Sequence, residues 1–204
     1  NGQRGFNDED IPKDDKKRML YETGKKLLFE NGYHEIGMDH FALKTDTLYD
    51  AFENGTLHRN FMGYSSSKTK LMIGLGVSSI SDSWYSFAQN VKSLEEYYQL
   101  LEQNKLPVYR GHLLTDEDLI IRKHILNLMC QFETSWKNQE AYFEEIPEVL
   151  NQLKEMENDG LLIIKENSIA VTEKGKPYVR NICMAFDLRL KRKAPETELF
   201  SMTI

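Results

Sequence analysis

Residues 32–46 read GYHEIGMDHFALKTD, an apolar stretch that turns polar at Asp39-His40, between Met38 and Phe41. A carboxylate beside an imidazole can orient a base or bind a metal. Neighbouring residues of a strand, however, point to opposite faces, so the pair cannot readily serve one substrate. The spacing therefore favours a structural or supporting role for Asp39 and His40 over direct catalysis. GLGVSS, residues 74–79, resembles a dinucleotide-binding glycine loop, but Ser79 stands where the third glycine belongs. No helix or well-spaced acid follows it. Glycine inside a strand marks a bulge or a place where a ligand or backbone comes close, and close approach to a flat cofactor is the better reading of Gly74 and Gly76.

The remaining reactive side chains carry weaker signals. His34, His40, His58, His112 and His124 form no pair at metal-ligand spacing, so no metal is expected on this chain. Cys130 and Cys183 lie in apolar helical contexts, LNLMCQF and RNICMAF, which suit buried reduced thiols. YSSSK lacks the context of a nucleophile elbow and reads as a turn.

These residues must be positioned by a globular chain. At 204 residues it is long enough for one full domain or two small ones, and its net charge of −6 argues against phosphate backbones and anionic lipid as partners. No run approaches the roughly 18 apolar residues of a membrane span, and the first residues have no apolar core like that of a signal peptide. A cytoplasmic setting is expected. The chain begins at Asn1 rather than Met, as if cut from something longer.

The pattern predicts a helix from Asp14 to Glu30 with Met19, Leu20, Leu27 and Leu28 on one side, stopped by Asn31-Gly32, then a short strand: an α/β unit. A short helix, DTLYDAFENG, follows, and then two extended segments joined by the polar turn SSSKTK. Beyond Trp84 helices dominate. Thr115 and Asp118 form a capping box, and Ile121, Ile125, Leu128 and Phe132 trace a buried stripe. The remainder reads as a helix from Ile146 to Asn158, a hairpin turning near Glu166-Asn167, and a last helix. Three helices with a hairpin are winged-helix-like. The basic run RLKRKAPETELF invites a DNA-binding reading, but NQEAYFEEIPEVLNQLKEMEND is dense in acid where a recognition helix needs Arg and Lys.

Taken together, GYHEIGMDHFAL, LHRNFMGYSSS, LMIGLGVSSISD, FAQN, YRGHLLTDEDLIIRKHILNLMC and VRNICMAFD resemble the C-terminal portion of the oxygen-independent coproporphyrinogen III oxidases. These are radical S-adenosylmethionine enzymes of haem biosynthesis. The likeness runs from about Lys13 to Ile204. It implies an α/β partial (β/α) barrel remnant over 1–106, then a mainly α, winged-helix-like domain over 107–204. It also implies oxidoreductase chemistry: oxidative decarboxylation of two propionates of coproporphyrinogen III to vinyl groups, giving protoporphyrinogen IX. The cofactors are S-adenosyl-L-methionine and a 4Fe-4S cluster held by a CxxxCxxC motif. The chain has no such motif, so it reads as a fragment inactive alone, with no catalytic residue of its own.

By the same resemblance Ile80 and Phe61 match positions that contact S-adenosylmethionine. Met62 stands where the family usually has Gln, which puts a second bound S-adenosylmethionine in doubt. Arg59 is a propionate candidate and His58 or His40 a second, the alternative for Arg59 being a salt bridge to a neighbouring helix. The implied partners are coproporphyrinogen III, an electron donor and an electron acceptor, with a monomeric protein and neither nucleic acid nor membrane. A haem-binding chaperone-like relative carries HNxxYW and ISNFA where this chain has RNFMGY and GMDHFA. The enzyme branch is the better match.

Overall fold

The computed structural model describes residue 5 and residues 9–193. Of the run RLKRKAPETELF, residues 189–193 are described and residues 194–200 lie outside the described residues. In chain order the elements are α1 (Asp14–Glu30), β1 (Tyr33–Gly37), β2 (His40–Leu43), α2 (Thr47–Glu53), β3 (His58–Asn60), β4 (Gly63–Ser65) and β5 (Leu71–Met72). Then come β6 (Ile80–Ser83), β7 (Ser86–Asn90), α3 (Leu94–Glu102), β8 (Val108–Leu113), α4 (Asp116–Gln131) and β9 (Glu133–Ser135). Last are α5 (Ile146–Asn158), β10 (Leu162–Lys165), β11 (Ser168–Val171), α6 (Val179–Met184) and α7 (Leu188–Lys193).

The helix caps follow the sequence closely. Asp46 accepts a hydrogen bond from the Leu48 amide at 2.8 Å to start α2, and Ser93 accepts one from Glu96 to start α3. The Thr115–Asp118 capping box opens α4. Gly32 closes α1 at φ +81, a left-handed position open to glycine at little steric cost. The last helix, expected over TEKGKPYVRNICMAFDLRLKRK, is instead broken: a single 3-10 turn spans Lys176–Tyr178 around Pro177, α6 follows, and residues 185–187 separate it from α7.

The architecture is mixed α/β with small sheets, and every strand pair among the described residues is antiparallel. The β/α barrel segment expected over 1–106 would need parallel strands joined by crossovers. Here neighbouring segments fold back on one another: β1–β2 and β3–β4 are hairpins, and β5–β6–β7–β8 is a four-stranded antiparallel sheet in chain order, with α3 between β7 and β8. In particular, Asp39 is not at a barrel strand's end. It lies in the β1–β2 turn, entered by Met38 at φ +46, and His40 begins the returning strand. The boundary expected near residue 107 falls at the start of β8, paired with β7 from Ser86–Leu113 to Asn90–Val108. The second half supplies α4–α7 and a three-stranded sheet in the order β10–β11–β9.

One core joins the two halves. Ile36, Ala42, Ala51 and Leu57 pack in the same buried cluster as Leu128, Val149, Leu153, Ile169, Ile182 and Phe186. α4 is its axis: Ile121, Leu128 and Phe132 of the expected stripe are buried, and Ile125 is half-buried. α1, by contrast, buries no residue. Met19, Leu20 and Leu27 of its apolar side are 58%, 50% and 54% exposed. Its ties to the fold are the Lys25–Glu35 ion pair at 2.6 Å and an edge contact of Phe29 on Phe41.

Candidate functional site

The β3–β4 hairpin projects Arg59, Asn60 and Phe61 toward α4, and between them opens a cavity of about 510 Å³. Its floor is apolar, made by Ile121, Ile125 and Met129 of α4 with Cys183 and Met184 of α6. Tyr64 anchors the hairpin by donating its hydroxyl to the Met129 carbonyl at 2.8 Å. Burial pushes that phenol above its ordinary range, so it stays a neutral donor. The anchor requires close approach. A Cβ on Gly37 would stand 2.5 Å from the Tyr64 hydroxyl, so the bare glycine of β1 makes room for the ring.

Of the four arginines that line this cavity among the described residues, Arg59, Arg122 and Arg189 are held differently from one another. Arg122 of α4 forks onto both Asp82 oxygens at 2.9 and 3.1 Å and donates to the Ser83 and Trp84 carbonyls. Its guanidinium also lies 4.9 Å from the Trp84 ring and 5.0 Å from the Phe87 ring. Arg189 of α7 forks onto Asp118 at 2.6 and 2.7 Å, and that carboxylate also takes the Thr115 amide and the His112 ring. Chiefly the Arg189 hydrogen bonds hold the Asp118 carboxyl well below the usual carboxylate range. Both are structural clamps, tying the four-stranded sheet and α7 to α4. Arg59 is different: it forms no ion pair among the described residues, its guanidinium lies 4.8 Å above the Tyr64 ring, and its Nη1 is buried without a hydrogen-bond partner. The salt-bridge alternative for Arg59 is therefore not the arrangement found. An orphaned buried guanidinium nitrogen is costly unless something completes it.

The other sequence candidates are spread around this hairpin. Phe61 lines the cavity and is 45% exposed, while Met62 is 75% exposed at the turn, where its amide bonds the Asn60 side chain. Ile80 opens β6, two residues before the clamped Asp82. His40 is exposed and packs edge-on to the Tyr64 ring at 5.0 Å, and Asp39 is exposed beside it. His58 and Arg59 are successive strand residues, and they line different cavities: His58 belongs to a second one on the opposite face of β3.

The glycine segment has a tighter explanation than a ligand. A Cβ on Gly74 would meet the Ile80 carbonyl oxygen at 2.7 Å, so the close approach it permits is to β6 itself. Asn90, which sequence reasoning missed, fixes the loop by donating from Nδ2 to the Gly74 and Gly76 carbonyls and the Ser79 hydroxyl, at 3.2, 2.9 and 3.2 Å. The Gly74 and Gly76 amides are taken by Ser81 and Tyr97, so neither is left for a phosphate. The only hint in the sequence was a polar Asn ending the otherwise half-apolar SFAQN strand.

Both cysteines are buried and unbridged. Burial pushes Cys130 up to about 11 and Cys183 up to about 12, so neither supplies a thiolate at neutral pH. Among the described residues no three His, Cys, Asp or Glu side chains are grouped to hold a metal, and no helix is long and apolar enough to cross a membrane.

No family model matches the chain. Oxygen-independent coproporphyrinogen III oxidase of Escherichia coli is 39% identical over 197 residues, 94% of this chain and 43% of that protein. The enzyme of the same name from Synechocystis is 34% identical over 211 residues, 99% of this chain and 45% of its own length. Among solved structures, the coproporphyrinogen III oxidase of Escherichia coli, described as a radical SAM enzyme, superposes with a TM-score of 0.85 at 38% identity. That match covers 92% of this chain and 44% of the other. The chain thus spans under half the length of the relatives it matches.

Proposed function

We propose that this chain, similar in sequence and fold to part of the oxygen-independent coproporphyrinogen III oxidases, is the substrate-facing C-terminal portion of such an enzyme. The whole protein would then oxidatively decarboxylate two propionates of coproporphyrinogen III to vinyl groups, giving protoporphyrinogen IX. The observation that carries this reading is Arg59, a half-buried residue whose buried Nη1 has no partner among the described residues, at the head of an apolar cavity. A propionate carboxylate completes that nitrogen with a charge-assisted hydrogen bond, and the hydrocarbon edge of the tetrapyrrole rests on Ile121, Ile125 and Met129. The volume, about 510 Å³, takes one edge of so large a substrate rather than all of it.

On this reading Phe61, Met62 and Ile80 face the S-adenosylmethionine site. The Asn90 bonds that stiffen the loop before Ile80 support a wall fixed in advance of binding. Met62 offers a flexible thioether in place of an amide, which removes a donor and an acceptor from any second S-adenosylmethionine. The 4Fe-4S cluster does not fit here: two cysteines, both buried and protonated, cannot supply a three-thiolate motif. We place the cluster, the radical-generating chemistry and the contacts to electron donor and acceptor on residues outside this chain. This chain binds a carboxylate, orients the tetrapyrrole edge and keeps water from it. A cytoplasmic monomer, an upstream partial barrel and a winged-helix-like arrangement of α4–α6 with β9–β11 complete the reading.

The test is Arg59→Met in the full-length protein, assayed anaerobically. A lost charge-assisted hydrogen bond is worth about 1.5–3 kcal/mol, so kcat/KM for coproporphyrinogen should fall by about 10- to 100-fold. S-adenosylmethionine affinity and the unfolding midpoint should change little, because Nη1 has no partner to lose. Unaltered kcat/KM would refute the propionate assignment.

A further inference from the structure

The face of β3 opposite Arg59 carries a second concavity, of about 550 Å³, whose chemistry the proposed function does not use. His58 looks into it from β3, Lys68 and Ser66 from the segment after β4, Lys123 and Asn127 from α4. In a chain with six more acidic than basic residues, no Asp or Glu lines this wall. His58 is 5% exposed, and among the described residues its ring makes no hydrogen bond; its nitrogens are not sealed inside the fold but open onto this concavity. The contrast with His124 is direct: that ring, 1% exposed, bonds Thr134 through Nδ1 and the Ala141 carbonyl through Nε2, both at 2.7 Å. A ring whose carbons are buried and whose nitrogens open onto a cavity is placed to meet a polar group that arrives there.

We propose that this concavity is a binding site for an oxyanion group, a carboxylate or a phosphate, held by an N–H of His58 with Lys68 and Lys123 supplying charge. The two lysines are exposed, so their ammonium groups can close on a ligand without unmaking the fold. Burial, together with Lys68 and Arg122, lowers the His58 pKa. The ring therefore enters the site as a neutral donor and leaves the charge to the lysines.

The experiment is calorimetric titration of the full-length protein with inorganic phosphate and, separately, with acetate. A saturable heat with one of them identifies the anion class. Lys123→Met and Lys68→Met, both at exposed positions, should each weaken that affinity at least tenfold, and Arg59→Met should leave it unchanged. His58→Ala should abolish it, but the proposal stands on the lysine variants should that buried change unfold the protein. No saturable heat with either anion would overturn the inference, as would an affinity that survives both lysine changes. So would one lost in Arg59→Met, which assigns the heat to the other cavity. Normal turnover in Lys123→Met is expected, so failure here and failure of the proposed function are told apart.

Discussion

At the scale of single residues, burial decides which groups can act. His124 has a fixed tautomer: the Ala141 carbonyl can only accept, so Nε2 carries the proton and Nδ1 accepts from Thr134. Burial lowers the pKa of His124, and of His58, from the ordinary 6.5. A base with a lowered folded pKa binds fewer protons folded than unfolded once the pH falls below 6.5. Stability should therefore hold above about pH 7 and fall as the pH drops through 6.5. The slope from either ring cannot exceed about 1.4 kcal/mol per pH unit, the value for one full proton. The depressed Asp118 carboxyl has the opposite position on the scale: its contribution is present above pH 4 and is lost only in stronger acid. Urea midpoints at pH 7.5 and 5.5 check this, and equal midpoints would contradict it. From sequence, the cysteines were legible as inert because their apolar neighbours state their burial. Arg59 was legible only as an alternative between propionate and salt bridge. Sequence does not reveal whether a carboxylate stands opposite a guanidinium; the Tyr64 ring does.

At the scale of elements, local chemistry was read well and long-range pairing was not. The bounds of α1 and α5, the capping box of α4 and the β10–β11 hairpin follow from caps, periodicity and turn residues within a few positions of each other. The four-stranded antiparallel sheet depends on which strand lies beside which, and short half-buried strands of two to six residues carry no mark of that. Asn90 shows the same limit, since its three acceptors lie 11 to 16 residues away. The β3–β4 hairpin rests on one such distant contact, Tyr64 to Met129, with Gly37 leaving the space. Gly37→Ala should displace the Tyr64 hydroxyl and cost about 2–3 kcal/mol, combining an overpacked contact with a broken buried hydrogen bond. Chemical denaturation measures it. Gly76→Ser probes the contrary case: no atom lies within 4 Å of its added Cβ, so only the φ of +93 opposes it.

At the scale of the molecule, the described residues leave several large apolar side chains largely uncovered. Besides α1, Leu75, Leu106 and Leu113 are 84%, 83% and 80% exposed along the side of the four-stranded sheet. With 43–45% of its relatives' length present, the proposed reading assigns the cover to the rest of the longer protein. Leu27→Glu should then shift the stability of the 204-residue chain by no more than about 0.5 kcal/mol, because the side chain already meets water. The same change in the full-length protein should cost about 1–3 kcal/mol. Equal small effects in both would leave α1 a free surface and remove this support for a covering half. The central claim is tested most directly by supplying the full-length protein anaerobically with coproporphyrinogen III, S-adenosylmethionine and a reductant, and measuring products. The account predicts two CO2 and one protoporphyrinogen IX per substrate consumed, with both yields falling in step in Arg59→Met. A protein that binds its cluster and cleaves S-adenosylmethionine but releases no CO2 from coproporphyrinogen III would contradict it.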